Sequence, residues 1–493
     1  MTGGAVSVTH ILEAKLDGES ITITDPRDGG MVGTVRSAGA GEVADAVRRA
    51  GAAFTSWSRL PSEDRGAMVR HAAGLVAANA PELAELNSRE TGRPTEEALE
   101  GVRAGVRTLL QFAELGPLHR GHSLRGAVDA ADYTIPEPRG VVLALTPWND
   151  PVATTAGLVG AALVTGNTVI HKPSERCPHL GARLGELLAQ ALPIDVIQTL
   201  LGGPPVGNAL AEHPGIDLIA HVGSTLAGEQ IARTAALTGS RVVRENGGND
   251  PLIVDADVEP EWAAAQAALG AFANAGQLCT SVERIFVHEA IAAEFTDGLV
   301  REAERLHESD ALGPLVDDAL RLQVHGQVAD SLSRGAIALC GGAIPPGPGS
   351  YYPPTVLTGC TTEMPVMSEE TFGPVAPIQV VRGFEEGLEL AARGRYGLTA
   401  TVLTRSMENA QRAIAGLPVG TVKINAVFGG APGGSAEPRG DSGSGYGYGP
   451  ELLDEMTTTK VVHVGIAPRR DSWRSDSRPS DSRAAGLRTD EEH

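Results

Sequence analysis

Aromatic residues are scarce in this chain, at 4% of 493 residues, and cysteine is rarer still, with four. Those four, Cys177, Cys279, Cys340 and Cys360, form no C-x-x-C pair and no cluster with histidine. That spacing argues against a disulfide framework and offers no metal site, and a reducing compartment is the simpler setting. Basic charge is also in deficit: 40 Lys and Arg against 61 Asp and Glu leave a formal net charge of −21. A chain of that charge repels a phosphate backbone unless it carries a local basic patch. The body of the sequence has none, so no nucleic acid partner is expected. No apolar run is long enough to span a bilayer, so no membrane is expected either. The start, MTGGAVSVTH, lacks the basic opening and apolar stretch of a secretory signal, which leaves the cytoplasm as the expected location.

Glycine, by contrast, is abundant at 61 residues, which fits either many tight strand–helix turns or a compositional bias. The length exceeds what one hydrophobic core fills, so two or more domains are expected. Helical patterns run over about 41–56, 62–90 and 95–114, and 118–138 reads as extended. From 139 short apolar runs alternate with helices: Val141–Leu145, Thr168–His171, Val196–Leu201, Leu218–Val222 and Arg241–Arg244. The alternation resumes after 250, with Leu252–Val254, a helix over about 260–275 and Arg284–His288. Such alternation predicts an α/β protein built on parallel sheets covered on both faces. The last 26 residues, from Pro468, are rich in Arg, Asp and Ser and read as a disordered tail. No internal repeat is present.

Five short motifs can carry chemistry. Cys279 sits in Gly276-Gln277-Leu278-Cys279-Thr280, just past an Ala-rich helix, as either a substrate-accessible thiol or an inert buried one. Glu245 ends an apolar strand ahead of Asn246-Gly247-Gly248, where open α/β sheets gather active-site residues; a capping or solvated carboxylate is the plainer alternative. Pro147-Trp148-Asn149-Asp150-Pro151 offers a rigid side-chain amide able to donate to an oxyanion, or a simple turn. Lys172 and Glu175, three apart after another strand, can grip the hydroxyls of a ribose or form a surface ion pair. Gly223-Ser224-Thr225 opens a helix whose free N–H groups can bind a pyrophosphate, or is an ordinary cap. The Rossmann fingerprint G-x-G-x-x-G is missing.

Taken in order and spacing, these pieces resemble the aldehyde dehydrogenase superfamily over about residues 20–465. The matching residues include Trp57, Glu90-Thr91-Gly92-Arg93-Pro94, Pro147-Trp148-Asn149, Gly166-Asn167-Thr168 and Lys172-Pro173-Ser174-Glu175. They continue with Gly223-Ser224-Thr225, Glu245-x-Gly247-Gly248, Gly276-Gln277-x-Cys279-Thr280, Glu369-Glu370-Thr371-Phe372-Gly373-Pro374-Val375 and Tyr396-Gly397-Leu398. The resemblance implies an NAD-dependent, hydrolytic, non-acylating enzyme that oxidises an aldehyde to the acid. In that reading Cys279 is the nucleophile, the Asn149 amide and the Cys279 N–H hold the oxyanion, and Glu245 activates the hydrolytic water. Lys172 and Glu175 meet the adenine ribose, Gly223 and Ser224 the pyrophosphate, and Trp148 lines the same cleft. Glu370 meets the nicotinamide ribose, with Phe372 beside the ring. Glu175 would repel a 2′-phosphate, so NAD is expected over NADP. No metal is implied.

The resemblance also implies three parts: an NAD-binding domain (1–117 and 139–245), a catalytic domain (246–441) and an oligomerisation β-arm (118–138 and 442–467). The arm makes a homodimer or homotetramer the expected state. Several positions depart from the family pattern. Asn246 stands where an apolar residue is common, His221 where Phe is usual, and Asp150 where many relatives carry an aromatic. The loop Ala431–Gly445 is longer than usual, and Tyr446-Gly447 replaces a frequent Arg-Glu. These changes predict a small polar or functionalised aldehyde over a long alkyl one, and no aromatic cage for a quaternary ammonium is evident. The alternatives are a semialdehyde or coenzyme-A-acylating dehydrogenase, the latter disfavoured by Glu245, and a non-catalytic structural or binding protein on the same fold.

Overall fold

The computed structural model describes residues 18–309, 311–430 and 434–467. The expected disordered tail, 468–493, lies outside the described residues. The chain divides into two units, one running to His119 and from Glu137 to Thr458, the other Arg120–Pro136 with the chain from Thr459.

The larger unit holds two sheets. In the first the strands lie in the order Gly443–Ser444, Arg241–Glu245, Leu218–Val222, Val141–Thr146, Thr168–Pro173, Ile197–Thr199, all parallel but for the first. The central strand Val141–Thr146 is buried along its whole length, which is why it reads as an unbroken apolar run rather than an alternation. From it the chain builds outward to Ile197–Thr199, then returns to place Leu218–Val222 on its other side. The carboxyl ends of these two neighbours form a topological switch point, where open α/β sheets leave a ligand crevice. Pro147-Trp148-Asn149 follows one of them and Gly223-Ser224 the other.

The second sheet has the order Ile337–Cys340, Thr355–Thr358, Val375–Val381, Val282–His288, Asp250–Val254, Thr399–Leu403, Thr421–Ile424, parallel except for its first pair. The α/β class with two mainly parallel sheets is therefore as the sequence predicts. With aromatics scarce, the cores rest on Ala, Val and Leu, with Trp57, Phe112, Phe272, Phe286 and Phe295 as the bulkiest fully buried side chains.

Three boundaries differ from expectation. The pattern over 62–90 is two helices, Ser62–Ala78 and Ala80–Thr91, because Pro81 in the first turn of the second cannot continue the helix before it. The helix expected to reach 275 stops at Phe272, since Asn274 and Ala275 turn left-handed at φ 50° and 54°. Residues 442–458, expected in the arm, belong to the larger unit, where Gly443 pairs with Glu245 and Ser444 with Arg244.

The arm sheet has the order Thr457–Val464, Ala131–Pro138, Ser123–Leu124. It leaves Tyr133, Ile135 and Val461 exposed. No helix among the described residues is long and apolar enough to cross a membrane.

Candidate active site

The loop carrying Cys279 is held in a costly shape. Asn274, Ala275 and Gly276 are left-handed in succession, and a Cβ at Gly276 would stand 2.1 Å from the Gly373 carbonyl. Two non-glycine residues in that region cost about 1–3 kcal/mol each, so the surroundings must over-determine the loop. Gln277 does much of that. Its amide donates to the carbonyls of Asn274 (3.0 Å) and Pro314 (3.3 Å) and accepts from the Val316 N–H at 2.9 Å. The Gln277 carbonyl in turn accepts from Asn149 Nδ2 at 3.0 Å, which orients the Asn149 amide beside the cysteine loop. Cys279 itself is half-buried. Burial pushes its thiol well above the usual range, and the nearby carboxylates Glu245, Asp250 and Glu370 push the same way.

Glu245 closes its strand pointing into the same space. The Gly447 N–H donates to Glu245 Oε1 at 3.1 Å, and a Cβ at Gly447 would lie 2.1 Å from Glu245 Cγ. Burial still pushes Glu245 up to about 8, against the lowering effect of that hydrogen bond. A carboxylate poised near neutrality is suited to general base work. Gly447 was noted in sequence only as a departure. Its task depends on a fold that brings residues 202 apart in sequence together.

Two cavities meet at Cys279 and Glu245, which line both. The first, about 390 Å³, is lined by Trp148, Asn149, Gly223, Ser224, Glu370 and Phe372 among others. Trp148 and Phe372 meet edge to face with centroids 5.7 Å apart, and the Arg176 guanidinium lies 5.2 Å over the indole. Phe372 is itself left-handed at φ 55°. Glu283, absent from the sequence candidates, fixes it by accepting from the Thr371 and Phe372 N–H groups at 2.9 and 2.8 Å. Glu370 accepts from the Gly248 N–H at 3.1 Å, and a Cβ at Gly247 would fall 2.1 Å from its carboxylate. Burial and Glu283 raise the Glu370 pKa.

A neighbouring cleft of about 340 Å³ continues past Trp148 to Lys172, Glu175, His221, Gly223 and Ser224. Lys172 Nζ and Glu175 Oε2 are 3.3 Å apart. Ser224 caps the helix Thr225–Thr238, its Oγ accepting from the Ala227 N–H. One expectation needs correcting: the Gly223 N–H is not free for a pyrophosphate, because it donates to the Glu245 carbonyl at 3.0 Å. His221 is buried beside Ser224, and burial brings its pKa down to about 4 against the raising effect of the Ser224 backbone. Lys172 and the start of the helix Thr225–Thr238 on such a cleft fit a ligand rich in hydroxyl and phosphate oxygens, as a dinucleotide is.

The family model described as "Aldehyde dehydrogenase family" matches residues 13–462. The chain belongs to the aldehyde dehydrogenase family. It is 32% identical to the betaine aldehyde dehydrogenase of Bacillus subtilis (strain 168), over 93% of this chain and 98% of that one. It is also 32% identical to the NADP(+) succinate-semialdehyde dehydrogenase of Escherichia coli (strain K12), over 91% and 95%. Among solved structures, betaine aldehyde dehydrogenase from Staphylococcus aureus in complex with NAD+ superposes at a TM-score of 0.88 with 28% identity, covering 93% of this chain and 94% of that one.

Two further departures from the family pattern have places, while residues 431–433 of the long loop lie outside the described residues. Asp150 pairs with Arg93 at 3.1 Å. Asn246 turns to the 441–442 backbone, donating to the Asp441 carbonyl at 2.8 Å while its own N–H meets the Ser442 carbonyl at 2.9 Å. It braces the segment that delivers Gly447.

Proposed function

We propose that the protein oxidises an aldehyde to its carboxylic acid with NAD, through a thioester on Cys279. The observation that carries this reading is the convergence of Cys279, Glu245 and Asn149 where two cavities meet. The Cys279 thiol releases its proton to solvent, and the thiolate adds to the carbonyl carbon. The new oxyanion is held by the Asn149 amide and the Cys279 N–H, donors fixed before the reaction begins. NAD, when bound, accepts the hydride that leaves the tetrahedral carbon. Glu245 then takes a proton from water, the water adds to the thioester, and the thiol leaves with the acid as product. Aldehyde, NAD+ and water thus become acid, NADH and a proton.

Lys172, Glu175, Ser224 and Trp148 would hold the adenosine and diphosphate side of the cofactor, and Glu370 and Phe372 its nicotinamide side. Gly223 would shape the cleft through its lack of a side chain. Glu175 supports NAD over NADP, since its carboxylate repels a 2′-phosphate. In this reading 1–117 and 139–245 form the cofactor domain and 246–441 the catalytic domain. The exposed apolar residues of the arm support association with further copies, as a homodimer or homotetramer. The four free thiols suit the reducing cytoplasm.

The test is NADH formation from NAD with a panel of aldehydes, beside a Cys279→Ala control. Turnover that falls about 10³-fold or more in the control supports the reading. Equal turnover in the two proteins overturns it.

A further inference from the structure

The second cavity that reaches Cys279 opens away from the Lys172–Glu175 cleft. It measures about 700 Å³, and its walls come from parts of the chain far apart in sequence. One wall is a face of the helix Thr95–Leu115, where Ala104, Arg107, Thr108 and Gln111 recur at helical spacing. Facing them are Thr421 and Lys423 on the edge strand Thr421–Ile424, and Tyr448 beyond Gly447. Among the described residues that line it, only Phe112 and Tyr448 are aromatic.

Arg107 and Lys423 are its lining cations. Arg107 makes no hydrogen bond or ion pair with any described residue and is exposed at the cavity wall. Lys423 is half-buried, donates to the Val427 carbonyl at 2.9 Å, and lies 5.7 Å from the Phe428 ring centre. One hydrogen bond leaves two of its three N–H groups to spare. Among the described residues the only lining carboxylate is Glu245, held by the Gly447 N–H at the Cys279 end. Burial raises the Glu245 pKa to about 8, which works against its charge opposing the two cations. The net charge of −21 does not reverse this, because screening limits distant charges to about 8 Å at physiological salt.

Resting on the proposed aldehyde oxidation, we infer that the substrate is an aldehyde whose far end is an anion, chiefly a carboxylate, received by Arg107 with Lys423 deeper in the same cavity. Arginine fits a carboxylate with two parallel donors, and an unpaired guanidinium at a site entrance has no internal partner to surrender. The same two cations repel an aldehyde bearing a quaternary ammonium, and the sparse aromatic lining gives it no cage. A long alkyl chain would offer no acceptor to the spare Lys423 donors. The reading sharpens the expectation of a polar aldehyde into one of defined charge.

The test compares kcat/KM for three aldehydes of similar length: 4-oxobutanoate, its uncharged methyl ester, and a trimethylammonium aldehyde. The native protein is expected to favour the anion over the ester at least tenfold and to use the cation worst. Arg107→Gln is expected to cut that preference about tenfold, and Arg107→Glu to turn it toward the cation. A native preference for the ester or the cation overturns the inference, as does a full anion preference in Arg107→Glu. If no aldehyde turns over, the proposed oxidation itself fails. Anion binding is then read from protection of Cys279 against iodoacetamide by glutarate relative to the uncharged diamide. Equal protection overturns the inference, whereas stronger protection by glutarate that is lost in Arg107→Glu upholds the anion site.

Discussion

The two cavities that share Cys279 and Glu245 are built in different ways. The cofactor-side cleft is assembled at strand ends and helix starts of one sheet: Trp148 and Asn149 after Val141–Thr146, Lys172 within Thr168–Pro173, Gly223 and Ser224 after Leu218–Val222. The other cavity is assembled from a helix face, an edge strand and the 445–449 turn. Regular topology fixes the first, so its residue types follow from where strands end. The second depends on side chains that the fold leaves free to vary, and it is there that Arg107, Lys423 and Gly447 stand.

That contrast can be broken at specific residues. The largest effect belongs to the shared centre. Asn149→Ala removes an oxyanion donor that Gln277 already orients, and kcat should fall about 10²–10³-fold with little change in NAD binding. Steady-state kinetics beside cofactor titration checks this, and a loss confined to NAD binding would place Asn149 with the cofactor instead. Next comes the turn that holds the base. The rate of thioester hydrolysis should rise with pH through about 8, as Glu245 loses its proton. Gly447→Ala keeps the backbone N–H but forces a Cβ against Glu245, which pushes the carboxylate off the donor that favours its ionised form. It should slow hydrolysis roughly tenfold and move the same limb to higher pH. A pH–rate profile identical to the native one would show that Gly447 does not tune the base. The smallest effect lies at the adenosine end. Glu175→Gln removes a charge without touching the reacting atoms, and the ratio of kcat/KM for NADP to that for NAD should rise severalfold, roughly.

The sequence makes the fold and the centre legible for physical reasons. Buried parallel strands leave unbroken apolar runs, and Cys279, Glu245 and Asn149 fall in short motifs whose order and spacing are specific. The supports are harder to read. Glu283 holds the Phe372 turn across 89 positions, and Gln277 ties the cysteine loop to Pro314 and Val316. Gly447 reaches Glu245 only because Gly443–Ser444 folds back as an edge strand. None of these contacts has a local pattern, since each arises from tertiary packing. The Gly223 N–H shows the reverse error: a helix start suggests a free donor, yet the adjacent strand claims it.

The central claim is that Cys279 carries the acyl group and Glu245 releases it. It is tested most directly by mixing Glu245→Gln with NAD and an aldehyde substrate, then following NADH and protein mass together. The account predicts a burst of about one NADH per site, slow turnover afterwards, and an acyl adduct that maps to Cys279. Sustained turnover at the native rate, or an adduct on any other residue, would contradict it.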